Sequence, residues 1–408
     1  MNLIRILILP AIILGTYTVN SQPSLDSLLS RVNQNNRTLT GARQFYENTR
    51  ISAKTNLYPE NPEVEYAHLW GSPEDLGDRT DFGVSQSFDF PGVYTKKSKL
   101  SKAGVEKASR FVESVRQETL LEAKQLWIRK VFLNRKQNAL EKRMREAARI
   151  SAYLRKQYEA GEISRLKYNK ALLMQASLQS EVILLNAETS ALNSEIVRIS
   201  GNQAEYHAGT RESTTSGIPV PIILDSNYYT SDNALLDSVL ASSLKDPLYR
   251  AYLQDVEVLN LQKQLTRAAS MPKFKAGYYS EKVVGFRLQG VRLGITVPLW
   301  ENANRVKAAT GDVISAELAA EKFRSDEVSA IHQLYTKYRG FQKQTDQLLS
   351  ALESSNDPEI LAIAVESGEI SIVEYFFETE LYYRVFNELL IAEKELFLTE
   401  AELTKYKL

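Results

Sequence analysis

Tyr158-Glu-Ala-Gly161-Glu162-Ile163-Ser164 returns, 207 residues later, as Val365-Glu-Ser-Gly368-Glu369-Ile370-Ser371. Upstream of each turn a second pair of segments matches: Phe82-Gly83-Val84-Ser85-Gln86-Ser87-Phe88 answers Leu293-Gly294-Ile295-Thr296-Val297-Pro298-Leu299 at an offset of 211. Asn61-Pro62-Glu-Val-Glu-Tyr66 answers Met271-Pro272-Lys-Phe-Lys-Ala276 at 210. Three matches in one order, with offsets within four residues, mark a duplication, and the period is far longer than that of a short-repeat solenoid.

Each copy repeats one grammar: an opening helix, a Pro-marked strand pair, a very long helix, a glycine turn and a returning helix. In the first copy the long helix is expected over about 96–159, with Val112, Val115, Leu120, Ala123, Trp127 and Val131 spaced by three to five residues, which is helical spacing. At 1.5 Å per residue such a rod reaches roughly 96 Å, too long for one globular domain. The second copy has nearly the same length over 302–366, with Pro358 as its interruption. Returning helices are expected over 163–199 and 370–406, and opening helices over 25–57 and 234–269. The division that follows is a leader at 1–21, a first repeat at 22–201 with helical hairpin 96–199, a linker at 202–232 rich in Gly, Ser, Thr and Pro, and a second repeat at 233–408 with helical hairpin 302–406.

Strands are expected at about 62–70, 80–90, 272–284 and 286–299. From Thr80 to Phe90 the even positions are Thr80, Phe82, Val84, Gln86, Phe88 and Phe90, and the odd ones are Asp81, Gly83, Ser85, Ser87 and Asp89. Val291, Leu293, Ile295 and Val297 alternate in the same way with Arg292, Gly294 and Thr296. A period of two separates an oily face from a wet one, and a tilted strand needs about 9–11 residues to cross a bilayer. Phe82, Val84, Phe88, Leu293, Ile295 and Val297 are therefore the candidate lipid-facing residues of a membrane barrel, with Tyr66, Trp70, Tyr278, Tyr279 and Trp300 suited to its aromatic girdles. The competing reading, hairpins covering a soluble core, lacks a compact helical layer for the sheet to cover. Four strands per chain cannot close a barrel of at least about eight, and an open edge in lipid leaves backbone groups unpaired. Partners are required, and a dimer, trimer or tetramer satisfies the count.

The 408 residues carry 50 basic and 50 acidic side chains. Nothing in that balance attracts nucleic acid. Arg5, the apolar run from Ile6 to Leu14 and the small residues around Val19 to Ser21 read as a secretory signal, since the run is about half the length of a membrane span. Cysteine is absent, which excludes thiolate catalysis, cysteine metal sites and a lipid anchor on cysteine. His68, His207 and His332 are far apart and have no ligand spacing, and no phosphate-binding loop or nucleophile motif occurs, so neither cofactor nor enzymatic activity is expected. A rival reading is a secreted or periplasmic coiled-coil scaffold, against which the apolar spacing wanders instead of holding to heptads.

The duplicated strand pair and long hairpin, Gly294-Ile-Thr-Val-Pro-Leu-Trp300 before a helix, and the two Gly-Glu-Ile-Ser turns resemble the TolC-type outer-membrane efflux proteins over nearly all of 22–408. Phe88-Asp-Phe-Pro91-Gly92 followed by Lys96, Lys97, Lys99 and Lys102 is similar to the heavy-metal-efflux branch. The resemblance implies a mainly α fold with a transmembrane β part, assembled as a homotrimer with a 12-stranded barrel in outer-membrane lipid and a periplasmic α-barrel. It also implies a periplasmic adaptor (membrane fusion) protein and an inner-membrane efflux pump of RND type as partners, and export of drugs or metal cations. Carried over by position, Gly161, Glu162, Ile163, Ser164, Gly368, Glu369, Ile370 and Ser371 become the tips that meet the adaptor. Glu374 stands where the family often keeps an acidic pore ring, while the family's second acid falls at Phe377, with Glu378 beside it. Glu374 and Glu378 are thus the candidate gate, or else an i,i+4 pair on a solvated helix face.

Overall fold

The computed structural model describes residues 24–72, 77–201, 232–298, 300, 302–355 and 358–408. The expected leader, and the expected linker apart from its last residue, lie outside the described residues. Two helices, α1 (Leu25–Asn35) and α2 (Arg37–Ser52), lead to β1 (Glu63–Leu69) and β2 (Arg79–Phe88), followed by the 69-residue α3 (Pro91–Glu159) and by α4 (Arg165–Ser200). The second half runs α5 (Asp232–Ser243), α6 (Pro247–Ala269), β3 (Lys273–Val283), β4 (Phe286–Thr296), α7 (Arg305–Glu353), α8 (Pro358–Ser367) and α9 (Ile372–Leu403), closed by a 3₁₀ turn at Lys405–Lys407.

Two rods, α3 and α7, run the length of the helical part, and shorter helices complete a row on either side of its middle. Towards the strands α2, α3, α6 and α7 lie in sequence; towards the turns the row is α4, α3, α9 and then α7 with α8. Each row ends in a helix whose outer side has no neighbour within the chain. The core is accordingly a chain of small clusters. One joins Leu28 and Val32 of α1 to Leu120, Ala123 and Leu126 of α3 and to Leu192 and Ile199 of α4, and another joins Ile150 and Leu154 to Leu361, Val365 and Tyr375 near the turns.

Two expectations are corrected here. The apolar spacing does not wander in α4: its buried apolar residues are Ala171, Leu178, Leu185, Leu192 and Ile199, one in every seven, the spacing of one core position of a coiled coil packed on α3. Exposed Leu172, Leu173, Ile183 and Leu184 blur that repeat when hydrophobicity alone is read. Each opening helix is also split, at Asn36 and at Asp246, positions 210 apart. Both side chains are buried and cap the helix that follows. Asn36 Oδ1 accepts from Leu39 N (3.1 Å) while its Nδ2 donates to Ile199 O (2.8 Å), and Asp246 Oδ1 accepts from Leu248 N (2.7 Å) and Tyr249 N (3.3 Å). A capping side chain satisfies amide donors that a new helix start leaves free.

The four strands form one antiparallel sheet in the order β1-β2-β3-β4. Both hairpins therefore join across β2 and β3, and β1 and β4 are free edges within the chain.

Candidate functional site

Directly opposed residues in an antiparallel sheet point to the same side, so the register sorts the faces. Val64, Val84, Tyr278 and Val291 form one rank across all four strands, and Phe88, Phe274 and Ile295 form another. Gln86, Ala276 and Leu293, and Tyr66, Phe82, Ser280 and Gln289, continue this face, and His68, Thr80, Lys282 and Arg287 end it in a polar rank at the hairpin tips. Phe82, Val84, Phe88, Leu293 and Ile295 thus share one side, and Val297 lies just beyond the end of β4. Val291 and Leu293 are each 78% exposed, so nothing within the chain covers them.

The opposite face carries the ion pairs, with Leu288 and Phe286 beside them towards the hairpin tip. Arg79 Nε lies 2.9 Å from Asp81 Oδ1 and 3.2 Å from Glu281 Oε1, and Lys275 Nζ lies 2.9 Å from Glu63 Oε2. Tyr279 belongs to this wet face and not to an aromatic girdle: Arg292 stacks over its ring at 4.1 Å and Arg79 donates to its hydroxyl at 3.3 Å. Register decides this, because Tyr278 and Tyr279 are adjacent and only one of them can face the apolar side.

At the other end of the rods both turns close through left-handed glycines, Gly161 (φ 80°) and Gly368 (φ 78°). Ser164 caps α4 without a side-chain bond, whereas Ser371 and Glu374 form a full capping box: Glu374 N donates to Ser371 Oγ (3.2 Å) and Ser371 N donates to Glu374 Oε2 (2.8 Å). The hydrogen bond from the Ser371 amide holds the Glu374 carboxyl below the usual carboxylate range. That cap is in place above the ordinary carboxylate pKa and is lost as pH falls through the lowered one. Glu374, Phe377 and Glu378 are all exposed.

Charge sorting between the two tips was not anticipated from sequence, although counting charges hairpin by hairpin reveals it. Residues 344–383 hold nine acids, Asp346, Glu353, Asp357, Glu359, Glu366, Glu369, Glu374, Glu378 and Glu380, and no Lys or Arg. Residues 142–170 hold nine bases against Glu146, Glu159 and Glu162. The two tips attract across the chain: Arg149 forks onto Glu366, with Nε 2.7 Å from Oε1, and Lys142 lies 3.7 Å from Glu359. Deeper in the contact Tyr383 donates to Glu146 at 2.9 Å beneath the Arg143 guanidinium, and burial pushes the Tyr375 hydroxyl up to about 12. Arg149 and Glu366 are partly exposed, so solvent screens their pair and its contribution is small. Arg149→Glu is expected to speed hydrogen exchange at the second tip several-fold, and the swap Arg149→Glu with Glu366→Arg to restore it; an unchanged rate in the single variant would show that the pair does not hold the hairpins together.

Among the described residues no group of His, Asp and Glu is arranged to hold a metal, and no helix is long and apolar enough to cross a membrane. His68 bonds Thr80 across the hairpin (3.1 Å) and packs edge-on against Trp70.

Strand pairs carried on long helical hairpins, duplicated within one chain, form a fold found in solved outer-membrane channels. The outer-membrane channel OprN shares it at a TM-score of 0.74 and 16% identity, covering 94% of this chain and 89% of that one. The CmeC outer-membrane channel of Campylobacter jejuni matches at 0.73 and 14%, covering 94% and 85%, and CusC, described as forming a transmembrane channel, at 0.69 and 15%, covering 94% and 91%. No protein-family model matches the chain, and no curated protein does so by sequence. The chain fold implied by the resemblance, mainly helical with paired strands, is thus the one shared with these structures.

Proposed function

We propose that the protein is the outer-membrane channel subunit of a tripartite efflux system, a passive conduit without chemistry of its own. The observation that carries the reading is a sheet with one oily face, one ionic face and two free edges. Such a sheet has no stable place in water or, as a single copy, in lipid. Copies that join β1 of one to β4 of the next close a barrel with the oily face towards lipid and the ion pairs towards a wet bore. Three copies give twelve strands, the homotrimer of the expected fold.

The helical rows support the same closure. Their outer helices are α2 and α7 near the strands and α4 and α7 near the turns, and these expose Phe45 and Ile51, Ile314 and Leu318, and Leu166 and Leu173. Apolar residues on the end helices of a row suit contact with the next copy. At the tips the basic first hairpin of one copy would meet the acidic second hairpin of its neighbour, adding electrostatic attraction to the ring.

In this reading the tips, Gly161 to Ser164 and Gly368 to Ser371, meet a periplasmic adaptor linked to an inner-membrane pump of RND type, and drugs or metal cations pass outward. Glu374 and Glu378 are the gate carboxylates, Glu374 already serving as a helix cap. Glu378→Gln is expected to lower the cation preference of single channels in planar bilayers; an unchanged reversal potential would remove Glu378 from the gate. The test of the reading itself is size and insertion: detergent-purified protein is expected as a trimer that conducts in bilayers, and a native monomer that never conducts would overturn it.

A further inference from the structure

The sheet has two ends, and their charges differ. At the hairpin-tip end Asp78, Asp81 and Glu281 balance Arg79, Lys282 and Arg287. At the helix end all four passages between rod and sheet carry exposed bases: Lys54 after α2, Lys99 and Lys102 in the opening turns of α3, Arg267 in the last turn of α6, and Arg305 and Lys307 in the first turn of α7. None of these six is in an ion pair among the described residues. Of the acids nearby, Glu47 pairs with Arg50, Glu60 with Lys273, and Asp89 with Lys97 and Lys273.

The same level carries exposed aromatics, Tyr58 and Trp300 at 79% each, with Phe90 beside them. Apolar strand ranks, then aromatic rings, then unpaired cations make up the order of a membrane boundary: hydrocarbon, headgroup layer, charged surface. Lys99 lies eight residues past the start of α3, about 12 Å along the helix. A flexible lysine stem shortens that gap, which is comparable to the screening length of about 8 Å.

We infer that this basic collar binds the anionic headgroups of phospholipids in the leaflet facing the rods, and so fixes how deep the barrel sits. The inference rests on the barrel reading above. Bases on all four passages would surround the assembled barrel, and a ring of cations outside the protein's own ion pairs fits a surface of many dispersed anions better than one small ligand. Each basic side chain near an anionic surface is worth about a fivefold change in partitioning, so a collar of several per subunit would select anionic over zwitterionic lipid strongly.

The experiment compares the protein in phosphatidylcholine with the protein in phosphatidylcholine mixed with phosphatidylglycerol, reading lipid retained by native mass spectrometry. The wild type is expected to retain phosphatidylglycerol in preference, and the combined Lys54→Gln, Lys99→Gln, Lys102→Gln, Arg267→Gln and Lys307→Gln variant to lose that preference at least about tenfold. Lys282→Gln with Arg287→Gln, at the other end of the sheet, is expected to leave it intact. Equal retention by the collar variant and the wild type, with both still conducting, would overturn the collar while sparing the channel. Loss of binding to cell-wall sacculi with lipid retention unchanged would assign the collar to the wall and overturn it too. If the wild type failed to insert in either lipid, the channel reading would fall and the collar with it.

Discussion

Val291→Arg is expected to abolish insertion and assembly while leaving the individual chain folded. Val291 belongs to the rank Val64, Val84, Tyr278 and Val291 on the apolar face, and at 78% exposure it contributes almost nothing to packing within the chain. An arginine there costs little in water. At the middle of a bilayer the same change costs about 2–4 kcal/mol per site, and every copy in a closed barrel bears it. The paired control is Gly290→Arg, one residue away on the ionic face, where an added Cβ meets nothing within 4 Å. It is expected to insert and to alter conductance. Heat-modifiable migration and membrane fractionation report the outcome. If the two variants behave alike, the assignment of faces is wrong.

Gly201→Ala is expected to be the most damaging small substitution in the helical part. Gly201 ends α4 in the left-handed region (φ 72°), which costs a residue with a Cβ roughly 1–2 kcal/mol. Its Cβ would also come within 2.1 Å of the Asn35 carbonyl oxygen, a backbone atom that cannot swing aside. That carbonyl ends α1 where Asn36 donates to Ile199 O, so relief means prising α1 from α4 and opening the cluster of Val32, Leu192 and Ile199. Overpacking adds about 1–3 kcal/mol, for a combined loss of about 2–5 kcal/mol. Gly161→Ala isolates the first effect: its φ is 80°, yet nothing lies within 4 Å of the added carbon. Thermal unfolding in detergent is expected to drop far more for Gly201→Ala than for Gly161→Ala, and equal drops would show that the close approach is not structural.

The joints at Asn36 and Asp246 show why part of the helical architecture was not legible. Asn and Asp within an apolar-periodic stretch are compatible with a continuous helix, and only burial against Ile199 or beneath the 3₁₀ turn makes each a cap. The heptad seam of α4 was hidden for a related reason: exposed apolar neighbours such as Leu173 and Leu184 interrupt the hydrophobic pattern, although burial itself keeps the seven-residue period. For the candidate site, alternation from Phe82 to Phe88 and from Val291 to Ile295 marked the oily face directly, while adjacent Tyr278 and Tyr279 could be separated only by register.

Period and repetition are properties of neighbours along the chain, so the sequence by itself determined the duplication, the rods, the glycine turns and the two-faced strands, because 3.6-residue and two-residue periodicities need no distant partner to be read. Which strand lies beside which, where the long helices break, how the basic tip meets the acidic one and which acids leave the collar cations unpaired depend on residues far apart in sequence. Only the tertiary structure decided these, because hydrogen bonds, burial and charge pairing act through space.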